Sequence, residues 1–159
     1  MIRNARMSDL EELSLLEGLC FPPEEAATKE SIRQRLQTFA ESFLVAETEH
    51  KIIGLINGCV TNSPVIFDEM FKAVEYHIPD GKYQAIFGLD VHPDYRRKGI
   101  AAKLMEQMID VSKAAGRKGV ILTCKDRLIK YYESFGFINK GISKSTHGNL
   151  VWYDMILEF

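Results

Sequence analysis

Between Tyr83 and Cys124 the chain runs through an apolar strand ending Leu89-Asp90-Val91, a turn with three consecutive cations and a glycine, a long amphipathic helix, and a second apolar strand. That order leaves few folds open. From Arg96 to Ala115 the apolar stripe is Ile100, Ala101, Leu104, Met105, Met108, Ile109 and Val111, with Lys103, Glu106, Gln107, Asp110 and Lys113 opposite and Gly116 as a C-cap. Gly119–Cys124, centred on Val120-Ile121-Leu122, has the continuous apolar run of a strand covered on both faces. Strand, helix and strand in succession imply a parallel crossover, hence an α/β sheet with its binding site at the strands' carboxyl ends.

The remaining elements fit around this unit. Met1–Arg6 reads as an edge strand, followed by a helix that Ser8 caps with Glu11 reciprocating and that carries an apolar stripe of Leu10, Leu13 and Leu16. After the loop Cys20-Phe21-Pro22-Pro23, Thr28 caps a second helix with Ile32 and Leu36 four apart. Phe43–Glu47 and Lys51–Val60 form a hairpin around Thr48-Glu49-His50, and a connection from Thr61 to Lys82 is of the length that functional loops have. A short helix from Arg127 to Phe135 ends at Gly136, and a last strand pair includes Leu150–Leu157. No linker or repeat divides the 159 residues, which read as one domain, 1–159, and 46% hydrophobic with 26% charged residues is ordinary globular usage.

Charge and cysteine content exclude several classes. The 20 Lys and Arg against 22 Asp and Glu leave a net charge of −2, and Arg96-Arg97-Lys98 is a short run without an aromatic-interleaved basic face, so nucleic acid is not expected as a partner. No apolar run has signal-peptide or membrane-spanning length, which points to the cytoplasm and away from a membrane. Cys20, Cys59 and Cys124 read as free thiols, and no histidine or cysteine pair has metal-ligand spacing.

The cation-rich turn carries the chemistry. Helix N-termini present free N–H groups and partial positive charge, and Gly99 lets a ligand approach the backbone, so this is a phosphate cradle, or else a solvated basic helix start capped by Asp94. Neither GxxxxGK[ST] nor GxGxxG is present. Arg96-x-x-Gly99-x-Ala101 after Val91-His92-Pro93 resembles the [RQ]xxGx[GA] acyl-CoA motif of the GCN5-related N-acetyltransferase (GNAT) superfamily. Tyr131-Tyr132-Glu133-Ser134-Phe135-Gly136-Phe137 is similar to that superfamily's YxxxGF ending. Within it the chain most resembles the arylalkylamine N-acetyltransferase branch and its bacterial relatives, through Cys20-Phe21-Pro22, the insertion before Tyr83, Leu122-Thr123-Cys124-Lys125-Asp126 and Gly148-Asn149-Leu150.

The resemblance implies the GNAT fold: a mixed, mostly antiparallel sheet with a central, splayed parallel strand pair, flanked by helices. It implies direct transfer from acetyl-CoA, the acyl donor, to a primary amine, a small arylalkylamine or polyamine. Pantetheine would pair with Leu89, Asp90 and Val91, the pyrophosphate would sit on Arg97, Lys98, Gly99, Ile100, Ala101 and Ala102 with Arg96 adding charge, and the Val91 N–H would polarise the thioester carbonyl. Tyr132 matches the acid that protonates the departing thiolate, whereas Tyr131 reads as a core aromatic.

The two histidines that serve the arylalkylamine branch as base are replaced by Ala85 and Phe87, leaving His77, His147, Asp68, Glu69, Asp90 or a water chain, with His92 structural. The substrate pocket is expected from Phe21–Ala26, the 61–82 segment and Thr146–Leu150, with Phe21, Pro22 and Glu69 as contacts. Glu24, Glu25, Asp68, Glu69 and Glu75 would make it acidic, and Phe67, Met70 and Phe71 offer apolar surface or core packing. The exposed strand edges of such a sheet permit a homodimer. From another class, the same fold and cradle would serve a non-catalytic acyl-CoA sensor or interaction module, which has no need of Tyr132.

Overall fold

The computed structural model describes residues 1–159. Its strands are β1 (Ile2–Asn4), β2 (Phe43–Thr48), β3 (Lys51–Asn57), β4 (Val60–Thr61), β5 (Tyr83–Ile86), β6 (Gly88–Val91), β7 (Gly119–Cys124), β8 (Ile138–Ile142) and β9 (Tyr153–Glu158). The helices are α1 (Leu10–Cys20), α2 (Lys29–Phe39), α3 (Glu69–Lys72), α4 (Ile100–Ala114) and α5 (Ile129–Glu133). One sheet has the order β1-β2-β3-β6, the other β4-β5-β7-β9-β8, and β5–β7 is the one parallel pair. This is the mixed, mostly antiparallel sheet with a central parallel pair that the motifs imply.

Alternation along β2 places a helix layer on each face. Leu44 and Ala46 pack with Ile53 and Ile56 beneath Leu104, Met105 and Met108 of α4. Phe43 and Val45 pack with Ile52 and Leu55 beneath Leu13 and Leu16 of α1 and Ile32 and Leu36 of α2. Burial on this scale drives the layering, since each fully buried aliphatic side chain is worth about 1.5–3 kcal/mol.

The two sheets part along one line. Between the pairs Asn57–Gly88 and Val60–Gln84 the first strand advances three residues and the second four, which makes a bulge around Phe87. Before it, β5 pairs with β7 as far as Ile86–Leu122; after it, β6 pairs only with β3, so Leu89–Val91 splay from β7 as expected. Gly58 allows the same break on the neighbouring strand, because a Cβ there would stand 1.8 Å from the Ala85 carbonyl oxygen.

Some boundaries differ from the sequence reading for physical reasons. Ser8 is not the cap of α1; the Asp9 carboxylate accepts the Arg6 N–H at 2.8 Å and binds Arg3 at 2.9 and 3.0 Å, so a 3-10 turn precedes the helix. The helix expected from Arg96 starts at Ile100, because Arg97 (φ 65°) and Gly99 (φ 79°) are left-handed. Lys51–Val60 divides into β3 and β4 at Gly58, and Leu150–Trp152 lies outside β9. Thr28 caps α2 as expected, accepting the Ser31 N–H at 3.1 Å, and Gly116 takes φ 78° after α4.

Two glycine replacements test this account. Gly58→Ala should cost about 3 kcal/mol by forcing backbone apart, whereas Gly18→Ala, with open space around its Cβ in α1, should gain roughly 0.5–1 kcal/mol. Urea denaturation of the two variants beside the parent measures both.

Candidate active site

A cavity of about 320 Å³ opens where β6 parts from β7. Its lining joins α1, α2, α5, the Phe21–Thr28 loop and the ends of β5, β6 and β7, together with Phe71, His147 and Trp152. The backbone beside it is partly unpaired by geometry. Phe87 N–H and His92 N–H donate to Asn57 and Ile53 carbonyls, both at 2.7 Å, and Asp90 lies opposite Leu55. Alternation therefore turns Leu89 and Val91 away from β3 and toward the gap. Asp90 was expected to offer its backbone to pantetheine; its register commits that backbone to β3 instead. The Val91 carbonyl is also taken, by Arg96 Nε at 3.2 Å and Cys20 Sγ at 3.4 Å, which ties the cation-rich turn to the strand end.

The turn itself is solvent-exposed from Arg96 to Gly99, and Lys98 lies over the Tyr95 ring. Left-handed residues at Arg97 and Gly99, on either side of Lys98, shape the turn ahead of α4 so that backbone N–H groups suit an anion, and Ile100, Ala101 and Ala102 continue it as the first turn of the helix. None of these residues lines the 320 Å³ cavity; they stand outside it, at its β6 end. His92 is structural, its Nδ1 accepting the Asp94 N–H at 3.1 Å to cap the 3-10 turn Pro93–Tyr95, while α4 begins after Gly99 with no side-chain cap, so Asp94 does not cap it.

Tyr132 comes from α5 onto the cavity wall and is only 9% exposed. Its ring packs edge-on against Tyr131 and Phe137. Burial, with Cys124 alongside, pushes its hydroxyl well above the usual phenol range, so it holds its proton at neutral pH. Tyr131, read from the sequence as a core aromatic, is instead exposed and outside the core, packing edge-on against Tyr132 and Phe135 off the cavity wall. Cys124 lines the cavity as a thiol pushed up to about 11 by burial, and all three cysteines are free.

Beneath Gly88 lies a buried polar cluster. Arg35, 5% exposed, donates to Asn57 Oδ1 at 3.1 Å and to the Phe71 carbonyl at 3.0 Å, with its guanidinium 4.9 Å from the Phe87 ring centre. It faces two buried carboxyls, Glu17 and Asp90. Burial, and then Glu17 beside it, raise the Asp90 carboxyl far above the ordinary carboxylate range. Glu17 also lines the cavity, its Oε2 accepting the Ala27 N–H at 2.8 Å. Glu17 was missed in the sequence, although its place four residues after Leu13 on the buried face of α1 marks it as a carboxylate among apolar neighbours.

The far wall is aromatic. The Phe71 and His147 rings stack with centroids 5.1 Å apart, Trp152 Nε1 donates to the His147 carbonyl at 2.7 Å, and His147 Nε2 pairs with the Glu25 carbonyl at 3.0 Å. Asp68 holds this wall in place by accepting from Ser145 and from the Thr146 N–H. Phe21 lines the cavity; Pro22 and Glu69 do not, since Pro22 starts a turn bonded to Glu25 and Ala26, and Glu69 faces solvent on α3. Met70 is core, and Phe67 packs on Tyr76. His77 is structural, its Nδ1 accepting the Val60 N–H at 3.0 Å. Of the two family histidine positions, Ala85 is in the core and Phe87 lines the cavity. The expected acidity is also corrected: the lining holds Glu17, Glu24 and Glu25 against Arg35, Lys72, Lys125 and Arg127, and Lys125 binds Glu25 at 2.8 Å. No three His, Cys, Asp or Glu side chains converge as a metal-binding group.

Comparison with known proteins bears on this arrangement. The model of the acetyltransferase (GNAT) family matches residues 9–137. The chain is 29% identical over 133 residues to the probable hydrolase YhcX of Bacillus subtilis, covering 77% of this chain and 25% of that protein. It is 27% identical over 128 residues to serotonin N-acetyltransferase of Mesocricetus auratus, covering 79% of this chain and 60% of that protein. The chain thus spans less than two thirds of the length of these relatives. Among solved structures, the GphF GNAT-like decarboxylase in complex with isobutyryl-CoA superposes with a TM-score of 0.87 at 20% identity, over 99% of this chain and 98% of that one.

The buried cluster makes a specific demand on Arg35. Arg35→Met strands two carboxyls without their cation and should cost about 3–5 kcal/mol. Chemical denaturation at neutral pH measures the loss.

Proposed function

This chain belongs to the acetyltransferase (GNAT) family, and we propose that it is an acyl-CoA-dependent N-acetyltransferase that passes an acetyl group directly to the primary amine of a small molecule. One observation carries the reading: a buried, protonated Tyr132 hydroxyl stands on the wall of a cavity that opens where β6 leaves β7. A binding module has no need of that proton donor, which favours the enzyme over an acyl-CoA sensor.

The residues present suit acetyl-CoA as donor. Leu89 and Val91 turn backbone groups into the gap, where the pantetheine chain would add as a strand, and the N–H groups from Arg97 to Ala102, with Arg96 and Lys98 beside them, suit a pyrophosphate. In this reading the Val91 N–H donates to the thioester carbonyl oxygen. The amine nitrogen bonds to the acyl carbon, the C–S bond breaks, and Tyr132 gives its proton to the departing thiolate.

The acceptor favoured by the walls is an arylalkylamine. Phe21, Phe71, Phe87 and Trp152 supply aromatic surface, while four cations against three carboxylates in the lining disfavour a polyamine. The likeness to serotonin N-acetyltransferase supports an aromatic amine as well. Three free thiols accord with the cytoplasm as its place of work.

Thiol release from acetyl-CoA across arylalkylamines, polyamines, amino acids and short peptides tests this. Arylalkylamines should turn over fastest; release with none of the amines, despite acetyl-CoA binding, would leave the sensor as the better reading. Tyr132→Phe should lower kcat by about 100-fold while acetyl-CoA affinity by calorimetry stays within about twofold.

A further inference from the structure

The direct-transfer reading leaves one proton unassigned. A primary amine is an ammonium ion at neutral pH and must lose a proton before its nitrogen can attack, yet the family's histidine positions hold Ala85 and Phe87. His77 is used by the fold, Asp68 pins the 145–146 backbone, and Glu69 lies outside the cavity. His147 reaches the cavity with Nε2 engaged by the Glu25 carbonyl.

The Glu17 and Asp90 carboxyls differ from all of these. They converge over Gly88, where an added methyl would stand 3.3 Å from Asp90 Oδ1, 3.5 Å from Asn57 Nδ2 and 3.8 Å from Glu17 Oε1. Any side chain at position 88, which lines the cavity, would press on both carboxyls. Asp90 is 1% exposed, and neither of its oxygens has a hydrogen-bond donor in the chain. Two carboxyls can face each other there only by sharing a proton. Glu17 reaches the cavity lining with Oε2 fixed by the Ala27 N–H.

From this geometry we infer that Glu17 takes the proton from the substrate ammonium and that Asp90 is a positioning residue, donating its shared proton to hold the Glu17 carboxylate toward the cavity. The inference rests on the transferase reading above. The ammonium N–H bond breaks, its proton goes to Glu17, and the freed lone pair attacks the acyl carbon. The attacking nitrogen's second proton replaces the one that Tyr132 gives to the thiolate, and Glu17 returns its proton to solvent. One proton leaves per turnover.

Charged and titratable groups face this pair from several elements. Cys20 shares α1 with Glu17, Arg35 faces Glu17 from α2 and Asp90 from β6, while Arg96 reaches Cys20 from the turn and Tyr132 senses Asp90 from α5. Arg35 balances the single negative charge of the carboxyl pair at rest, and the cluster carries one net positive charge only while Glu17 holds the substrate's proton, which favours its prompt release to solvent.

The test is Glu17→Gln, whose amide can still accept the Ala27 N–H, assayed by thiol release over a range of pH and of amine basicity. For a strongly basic amine at neutral pH, kcat/KM should fall about 100-fold. The deficit should shrink toward unity for weakly basic amines that are already neutral at the assay pH. A purely structural role would give the same loss for every amine. Asp90→Leu, which removes the donor to Glu17, should move the acid limb of the kcat/KM profile up by about one pH unit, the worth of one hydrogen bond to a charged group. A Glu17→Gln profile that matches the parent, or a loss independent of amine basicity, would overturn the inference. Absence of thiol release by the parent protein would instead overturn the transferase reading.

Discussion

The one-residue bulge around Phe87 is the constraint on which the rest of the site depends. A strand that ran unbroken from Tyr83 to Val91 would pair with β7 along its length and leave no gap. With the bulge, the first half stays with β7, the second half stays with β3, and Leu89 and Val91 are left facing open space. Gly58 makes the break possible from the other side, since any side chain there would meet the Ala85 carbonyl. Unpaired strand backbone is ordinarily a liability, which proteins cover or blunt. Here it lies inside a cleft beside a helix N-terminus, where an extended ligand with a phosphate at one end would complete the sheet.

Opening the sheet in this way leaves its interior polar groups to be satisfied, and the chain does so with charge balance. Arg35 reaches between α2 and β3 to bond Asn57 and the Phe71 carbonyl, and its cation faces the Glu17 and Asp90 carboxyls. Removing one member costs more than the pair contributes, because the remaining charge has no water to turn to. The cluster therefore links α1, α2, β3, β6 and the long connection after β4 into one unit. The same residues that make the break stable also bring the Glu17 carboxylate to the cavity wall.

Much of this was legible in the sequence, and what escaped it has a common cause. The β-α-β unit from Tyr83 to Cys124 could be read from hydrophobic periodicity because every step of it is local: an apolar strand, a glycine at φ 79°, a stripe of Leu104, Met105 and Met108. Tyr132 was readable for the same reason, since its motif is contiguous. Asp9 displaced Ser8 as the organiser of the first helix because Arg3, a neighbour only in space, gives it a second role. Glu69 and Pro22 were placed in the pocket from loop membership, but α3 turns Glu69 outward while Phe71, two residues on, stacks on His147. Glu17 left a mark that periodicity alone shows, a carboxylate on the buried face of α1, but its partner Asp90 is 73 residues away in sequence, and only the folded sheet brings the two together.

Backbone amide hydrogen exchange at Leu89, Asp90 and Val91, measured with and without saturating coenzyme A, tests the central claim most directly. The account predicts that Leu89 and Val91 exchange rapidly in the free protein and slow markedly on binding, while Asp90, paired to Leu55, is protected throughout. Leu89 and Val91 amides already protected in the free protein, or unchanged when coenzyme A is bound, would contradict it.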